Sequence, residues 1–266
     1  MFDAYIARWR LTPDGTPIVT PTSRLLPVRY AGTPAMLKIA LEAEEKHGNA
    51  VMRWWDGSGA ARVLAFAGDA LLLERAEGTT SLAALARSGD DDKACRVLCR
   101  AAARLHLPAN RPLPALVPLT RWFQELAPAA ATHGGILSLC AATAFALLAK
   151  PQDVCVLHGD IHHDNVLHFG ARGWLAIDPK GLWGERGFDY ANIFLNPDCE
   201  TATSPGRLAQ RATIAAAEAG LERRRLLQWA LAWSGLSAAW LLAEGAAPEL
   251  QLSIASAAAA ELQKIE

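Results

Sequence analysis

Acidic, amide and imidazole side chains are concentrated in residues 154–190, which read VCVLHGDIHHDNVLHFGARGWLAIDPKGLWGERGFDY. They stand at the ends of short apolar runs bounded by Gly and Asp, a pattern typical of buried strands. Loops that rigid strands hold in place carry a large share of catalytic side chains. The types and spacing of these residues therefore predict a catalytic site in this stretch.

Two of the apolar runs, residues 166–169 and 174–177, predict a β-hairpin closed by a four-residue loop. In that register Asn165 and Asp178 face each other, and opposed residues of an antiparallel pair have Cβ atoms about 5 Å apart. A carboxylate and an amide oxygen suit Mg²⁺, which prefers oxygen ligands and keeps waters or phosphate oxygens. The sequence therefore predicts a magnesium site made by Asn165 and Asp178.

Two further residues would complete the chemistry of phosphoryl transfer, which depends mainly on positioning and charge neutralisation. Asp160 precedes Asn165 in the same stretch, is not needed for the metal, and can accept a hydroxyl proton. Lys38, on the predicted strand PAMLKIAL, could neutralise nucleotide phosphates if Glu44 or Glu45 of the following helix holds it in a cleft. A lysine on such a strand more commonly extends to solvent, so its position alone leaves both orientations open.

The composition narrows the class of protein. The chain has 266 residues, a formal net charge of -1 and 52% hydrophobic residues, which allow two lobes around a cleft. This charge predicts neither a nucleic-acid partner nor a membrane surface as partner. No apolar run approaches the ~20 residues of a membrane span, and the first residues lack a signal peptide. Five cysteines without a CxxC pair predict neither disulfides nor a zinc site. We expect a soluble, cytoplasmic protein, and a monomer.

Short runs separated by Pro, Gly and Asp predict a β-rich N-lobe with one helix in residues 1–76. The predicted strands are ARWRL, TPIVT, LLPVRY, PAMLKIAL, ARVLAFAG and ALLLERA, and the predicted helix is EAEEKHGNAVMRWW. A larger, mostly helical C-lobe with one hairpin follows in residues 77–266. Its predicted helices are near 81–88, 91–106, 118–133 and 136–149, with more from Gly206 onward, and a Pro-rich link occupies residues 107–118.

One aromatic stripe in the C-lobe follows helical spacing. Trp229, Trp233, Leu236 and Trp240 recur on one helix face, which predicts core packing rather than a ligand site.

The motif HGDIHHDN resembles the H-x-D-x-x-x-x-N catalytic loop of the protein-kinase-like fold, in the variant of aminoglycoside phosphotransferases. IDPKG stands where protein kinases have the metal-binding D-F-G. The run RGWLAIDPKGLWGERGFDYANIFLNPD, with WWDGSGAARVLA before it and GLSAAW after it, is similar to the streptomycin 6-kinase and hydroxyurea phosphotransferase subgroup. The resemblance covers nearly the whole chain. It implies an α+β, bilobal protein-kinase-like fold and an ATP- and Mg²⁺-dependent kinase of small molecules.

The resemblance also implies roles for individual residues. Asp160 matches the catalytic base, and Asn165 and Asp178 match the magnesium ligands. Lys38 matches the phosphate-binding lysine, with Glu45 as its partner and Glu44 as the alternative. Asp189 matches the aspartate that braces the catalytic loop from below. Residues Glu74 to Ala76 match the hinge whose backbone receives the adenine.

The loop over the phosphates departs from the family pattern, and the acceptor pocket is not specified by the motifs. No GxGxxG precedes Lys38; PTSRLLPV stands there instead, so backbone amides or Ser23 would have to reach the phosphates. Streptomycin carries two guanidinium groups and an amine, so its pocket should contain carboxylates. The C-lobe residues able to supply them are Asp198, Glu200, Glu244 and Glu249, although each is a typical surface charge. Trp183 could form a wall of this pocket or pack in the core.

We therefore expect a kinase of the streptomycin 6-kinase type, which phosphorylates a hydroxyl of streptomycin and gives antibiotic resistance. The alternative within this class is a kinase of hydroxyurea or another small metabolite. Two other classes remain: a metal-dependent hydrolase whose histidines bind a transition metal, and an inactive kinase-like binding module.

Overall fold

The N-terminal part of the computed structural model, which describes residues 1–107 and 111–265, is built on one antiparallel sheet. Its strands are β1 (Thr12–Pro13), β2 (Ile18–Val19), β3 (Ser23–Tyr30), β4 (Thr33–Ala40), β5 (Val63–Ala67) and β6 (Ala70–Glu74). The strand order is β1-β3-β4-β6-β5, and β2 also pairs with β3. The predicted helix between β4 and β5 is α2 (Ala43–Trp55).

The predicted strand ARWRL is wrong, because these residues belong largely to helix α1 (Asp3–Trp9). Apolar residues at helical spacing, Phe2, Tyr5, Ile6 and Trp9, pack on the small core under the sheet. Arg10 then takes a left-handed conformation, with φ 52°, and ends the helix.

Helices dominate the rest of the chain, as predicted. They are α3 (Leu82–Leu85), α4 (Asp91–Leu105), α5 (Leu119–Trp122), α6 (Leu126–His133), α7 (Ile136–Ala149), α8 (Cys199–Ala202), α9 (Arg207–Ala219), α10 (Arg223–Ala243) and α11 (Glu249–Gln263). The single helix predicted for 118–133 is two helices, since Pro128 is tolerated only in a first turn and α6 starts just before it. Of the predicted Pro-rich link, residues 108–110 lie outside the described residues.

Two small sheets lie beside these helices. The predicted hairpin consists of β9 (Val166–His168) and β10 (Trp174–Ala176). The second sheet has three strands, of which the sequence predicts one. That sheet joins β7 (Val117–Pro118), β11 (Leu182–Glu185) and the predicted strand β8 (Val154–Leu157).

The predicted register of the hairpin is wrong by one residue. Val166 pairs with Ala176, and the Ile177 amide donates to the Asn165 carbonyl over 2.9 Å. Residues Gly170–Arg172 form a 3-10 turn, and the Phe169 amide donates to the Gly173 carbonyl over 2.8 Å. A turn with an odd number of residues shifts the pairing by one position relative to a four-residue loop. Asn165 therefore lies opposite Ile177, and the residue after Ile177 extends beyond the hairpin.

Helix α10 lies in the centre of the large core, where it packs against α7 and α11. Within the described residues it alone has the length and apolar composition of a membrane span, whereas the sequence predicts no apolar run of that length. However, 67% of its most apolar stretch of 18 residues is buried inside the protein, as in the core helix of a globular fold.

Candidate active site

Lys38 points into the cleft between the sheet and the helical part of the chain. It is 6% exposed, and its ammonium contacts Glu45 Oε2 and Asp178 Oδ1. Lys38 is therefore held between carboxylates rather than extended to solvent. Glu44 instead lies 3.0 Å from the ammonium of Lys180. Of the two glutamates considered as partners, the structure brings Glu45 to Lys38.

Asp178 lies directly after the hairpin, with a positive φ of 62° that turns its side chain toward Lys38. Burial favours the neutral acid, but the Lys38 charge and hydrogen bond hold the pKa of Asp178 below its usual value. Its carboxylate is 37% exposed, so it stays accessible from the cleft.

Asp160 is held in place by two amide side chains. Asn192 donates to its Oδ1 over 2.7 Å, and Asn165 donates to its main-chain oxygen over 2.9 Å and to its Oδ2 over 3.2 Å. The Asn165 side chain thus uses its nitrogen on Asp160, and its amide oxygen has no hydrogen-bond donor among the residues described. An oriented amide oxygen next to the end of the hairpin is a suitable ligand for a hard cation.

Asp189 lies beneath the loop that carries Asp160. It accepts hydrogen bonds from the backbone amides of His158 (2.9 Å) and Gly159 (2.7 Å) and from His106 Nε2 (2.8 Å). Burial alone would raise the pKa of Asp189, but His106, the nearby His158 and the Gly159 amide lower it. The buried carboxylate therefore fixes the backbone of the loop.

The histidines of HGDIHHDN do not form a metal site. His158 donates from Nε2 to the Ile177 carbonyl over 2.8 Å and accepts at Nδ1 from the Asp160 amide over 3.2 Å, so both nitrogens are used. His163 is buried, and burial lowers its pKa to about 3. No group of three or more His, Cys, Asp or Glu side chains is arranged around a possible metal in the described residues. The transition-metal reading has no support in this geometry.

A largely apolar cavity of about 260 Å³ extends from Lys38 and Asp178 to the end of β6. Its apolar walls are Leu25, Met36, Leu73, Leu167, Phe169 and Ile177. At the far end lie Glu74 and Ala76, and the Ala76 amide donates no hydrogen bond within the described part of the chain. The Glu74 carboxylate is occupied by Arg172 and by the Arg62 amide. The shape and the free amide suit a flat aromatic base.

Ser23 is not brought to this cavity. Its hydroxyl lies 3.1 Å from Thr20 Oγ1, and its amide donates to the same oxygen over 2.9 Å, so the residue closes a local turn. The neighbouring Thr22 instead donates to Glu45 Oε1 over 3.2 Å, at the edge of the Lys38 site.

A second cavity, of about 440 Å³, is lined by Asp160. Its lining includes Glu44, Lys180 and Asn192 together with three tryptophans, Trp122, Trp233 and Trp240. The predicted core stripe is thus divided: Trp229 and Leu236 are fully buried, whereas Trp233 and Trp240 face this cavity.

The carboxylates considered for an acceptor pocket lie elsewhere. Asp198 caps α8 and pairs with Arg87 over 2.7 Å, and Glu200 lines a separate surface cavity with it. Glu244 and Glu249 stand at the end of α10 and the start of α11, outside the lining of the cavity beside Asp160. Trp183 also lies elsewhere, in an apolar recess next to β8.

Sequence reasoning missed two residues of the site. Lys180 lies 3.0 Å from Glu44, 3.6 Å from Glu45 and 4.0 Å from Asp160. Its place in IDPKG, two positions after the aspartate, was a usable signal. Asn192, which orients Asp160, had no local signal, because only the fold brings it to that loop.

The chain matches the model of the aminoglycoside/hydroxyurea antibiotic resistance kinase family over residues 8–245. It is 55% identical over 243 residues to the streptomycin 3''-kinase of Klebsiella pneumoniae, covering 90% of this chain and 91% of that protein. It is 33% identical to the hydroxyurea phosphotransferase of Kitasatospora aureofaciens (94% and 76% covered). It is 32% identical to the streptomycin 6-kinase of Streptomyces griseus (96% and 87% covered).

Solved structures share the fold at low sequence identity. A choline/ethanolamine kinase family protein from Mesorhizobium loti superposes with a TM-score of 0.64 at 15% identity, covering 98% of this chain and 93% of that one. An aminoglycoside phosphotransferase from Streptomyces rimosus, in complex with ADP and streptomycin, gives 0.58 at 18% identity, with 90% and 98% covered. The predicted α+β, bilobal protein-kinase-like fold is confirmed. The chain belongs to the aminoglycoside/hydroxyurea antibiotic resistance kinase family, and it is a small-molecule kinase.

Proposed function

We propose that this kinase transfers the γ-phosphoryl group of ATP to a hydroxyl of streptomycin. The observation that carries the proposal is the link between two cavities, one lined by Lys38 and Asp178 and the other by Asp160 and three tryptophans. Lys180 lies 4.0 Å from Asp160 and 3.6 Å from Glu45, which contacts Lys38. A nucleotide in the first cavity would place its phosphates close to an alcohol held by Asp160 in the second. The 55% identity to a streptomycin 3''-kinase supports streptomycin as the acceptor.

Residues 1–76, with the hairpin, would bind the nucleotide. The free Ala76 amide, beside Glu74 at the end of this cavity, is suited to the adenine, and Lys38, held by Glu45, is suited to the phosphates. Asp178 and the oriented amide oxygen of Asn165 are the oxygen donors that fit Mg²⁺, which would supply charge neutralisation on the phosphates. Ser23 is engaged in its own turn. We therefore propose Thr22, at the edge of the Lys38 site, rather than Ser23 as the hydroxyl near the phosphates.

Residues 77–266 would bind the acceptor and provide the base. The Asp160 carboxylate is 25% exposed and faces the acceptor cavity, where it can orient an alcohol and accept its proton. Asn165 and Asn192 hold the two carboxylate oxygens in fixed directions.

For the acceptor position we propose the 3''-hydroxyl rather than the 6-hydroxyl that the sequence motifs suggested. The relative with 3''-activity in its name is 55% identical, whereas a 6-kinase is 32% identical. We expect the reaction to take place in the cytoplasm, with a monomeric enzyme that needs no nucleic acid or membrane.

The test is a panel of acceptors incubated with γ-labelled ATP and Mg²⁺, followed by NMR assignment of the phosphorylated carbon. We expect transfer to the 3''-position of streptomycin. Transfer to the 6-position would overturn the regiochemistry alone, and no transfer to streptomycin would overturn the proposed substrate.

Hydroxyurea is the second candidate, because the family and a 33% identical relative carry its name. It belongs in the same panel at matched concentration. A higher kcat/KM for hydroxyurea than for streptomycin would favour it.

A further inference from the structure

Three tryptophans form a continuous wall of the cavity beside Asp160, which we call the tryptophan wall: Trp122, Trp233 and Trp240. Trp240 stands at its centre. Its ring lies 5.3 Å from that of Trp122 at 86° and 5.4 Å from that of Trp233 at 80°. Such edge-to-face contacts hold the three rings rigidly, so the wall is formed before any ligand binds.

Two hydrogen bonds connect the tryptophan wall to Asp160, the proposed base. Trp233 donates from Nε1 to Asn192 Oδ1 over 3.0 Å, and Asn192 donates from Nδ2 to Asp160 Oδ1 over 2.7 Å. Two hydrogen bonds therefore fix the wall relative to the carboxylate. A group that stacks on the wall is held at a set distance from the reacting hydroxyl.

The charges around the wall favour a cation. The lining carries two carboxylates, Glu44 and Asp160, and one ammonium, that of Lys180. Lys180 already lies 3.0 Å from Glu44 and 4.0 Å from Asp160, so its charge is offset within the protein. Indole faces attract guanidinium and ammonium groups through their quadrupole. A neutral ligand would gain little from this combination of negative charge and aromatic faces.

We propose that the tryptophan wall binds a cationic nitrogen group next to the acceptor hydroxyl and thereby selects acceptors that carry such a group. The inference rests on the proposed function and deepens it by naming the chemistry that the site recognises. Streptomycin has guanidinium and methylammonium groups beside its hydroxyls, whereas hydroxyurea is neutral. The wall thus favours the aminoglycoside over hydroxyurea.

The first test uses the wild-type protein. Calorimetry compares N-methyl-L-glucosamine, the sugar of streptomycin that carries the 3''-hydroxyl next to its methylammonium group, with L-glucose, which has a neutral hydroxyl in place of that group. We expect measurable binding of N-methyl-L-glucosamine and at least tenfold weaker binding of L-glucose. Equal binding of the two would overturn the proposal. Because this measurement needs no turnover, it distinguishes failure of the wall from failure of the proposed kinase activity.

The second test replaces the central ring. Trp240→Leu should raise KM for streptomycin about 3- to 30-fold, the range expected for loss of a cation–π contact, with a smaller effect on kcat and no effect on KM for ATP. Trp240→Phe keeps an aromatic face and should restore most of the affinity. The matched control is Trp183→Leu, since Trp183 lies in a different recess.

An unchanged KM in Trp240→Leu, or an equal increase in Trp183→Leu, would overturn the proposal. If Trp240→Leu does not fold, the comparison of N-methyl-L-glucosamine with L-glucose on the wild-type protein still decides it.

Discussion

Lys38 on β4 and Asp178 after the hairpin are in direct contact although 140 positions separate them in the chain. The same ammonium contacts Glu45 on α2. One cation thus joins the sheet, a helix and the loop that follows the hairpin. This contact assembles the proposed nucleotide site from three elements that are distant in the sequence.

We predict that Asp178→Ala loses Mg²⁺-dependent ATP binding, because the alanine removes the exposed carboxylate proposed as a magnesium ligand. Calorimetric titration of ATP with and without Mg²⁺ measures this effect. Asp3→Ala, at a fully exposed carboxylate near the N-terminus, is the control. Normal Mg²⁺·ATP affinity in Asp178→Ala would contradict the assignment.

Asp160→Asn should keep ATP binding but lower kcat by about 10²–10⁴-fold, the usual contribution of general-base action. The amide retains the size of the side chain and cannot accept the proton. Asp164→Asn changes an exposed aspartate of the same loop and should leave kcat unchanged. Steady-state kinetics with streptomycin give kcat for both variants. A normal kcat in Asp160→Asn would show that Asp160 is not the general base.

Glu45→Gln and Glu44→Gln should differ strongly in stability and in KM for ATP. Glu45 is 2% exposed and pairs with Lys38, which also contacts Asp178, so loss of the Glu45 charge should cost about 2 kcal/mol. The Glu44 side chain is 42% exposed, and loss of its pair with Lys180 should cost less than about 1 kcal/mol. Urea unfolding and ATP kinetics on both variants measure this. Equal effects would show that Lys38 does not depend on Glu45.

Gly48→Ala should destabilise the protein, against the usual gain of about 1 kcal/mol for Gly→Ala inside a helix. Gly48 lies on α2, and a Cβ there would overlap the carbonyl oxygen of Pro179 in IDPKG. The variant must therefore push α2, with Glu45, away from the hairpin. We expect a lower midpoint of thermal unfolding and a higher KM for ATP. A stabilised variant would show that this close approach is absent.

Buried His163 should make the protein sensitive to mild acid. Neither ring nitrogen has a hydrogen-bond partner within the described residues, and burial lowers the pKa of His163 from 6.5 to about 3. In mild acid the unfolded chain therefore binds a proton at this histidine and the folded chain does not. The free energy of unfolding falls as pH drops below about 6.5. The loss between pH 7 and pH 4 is about 3 kcal/mol.

His163→Gln cannot protonate in this range, so its free energy of unfolding should depend less on pH than that of the wild type. Urea unfolding at pH 7, 5.5 and 4 gives both curves. Parallel curves would exclude His163 as the source of the acid sensitivity.

Short-range features of the site could be predicted from the sequence. Asp160, Asn165 and Asp178 lie within one loop and one hairpin, so local geometry relates them. Asn165 donates to Asp160, and Asp178 lies one residue beyond the position opposite Asn165. This one-residue difference from the predicted register arose at the turn, because Gly170 and Gly173 permit positive φ and an odd-numbered loop as readily as a four-residue one.

Long-range features could be predicted only where a motif implied them, as for Lys38. Asn192 reaches Asp160 through the packing of the 3-10 helix Arg186–Leu195 against α10, and no spacing in the sequence encodes that contact. Helical periodicity identified the apolar face of α10 but not what covers it. At Trp229 a neighbouring aromatic side chain, Phe188, covers it.

The sequence by itself determined the type of chemistry, because the residues of HGDIHHDN and IDPKG are close along the chain and their spacing sets their distances. Only the tertiary structure decided the acceptor side of the site. It left Trp233 and Trp240 facing a cavity and moved Asp198 and Glu200 away from it. Which side chains face a cavity depends on how distant helices pack, and that is decided by the whole core rather than by any local segment.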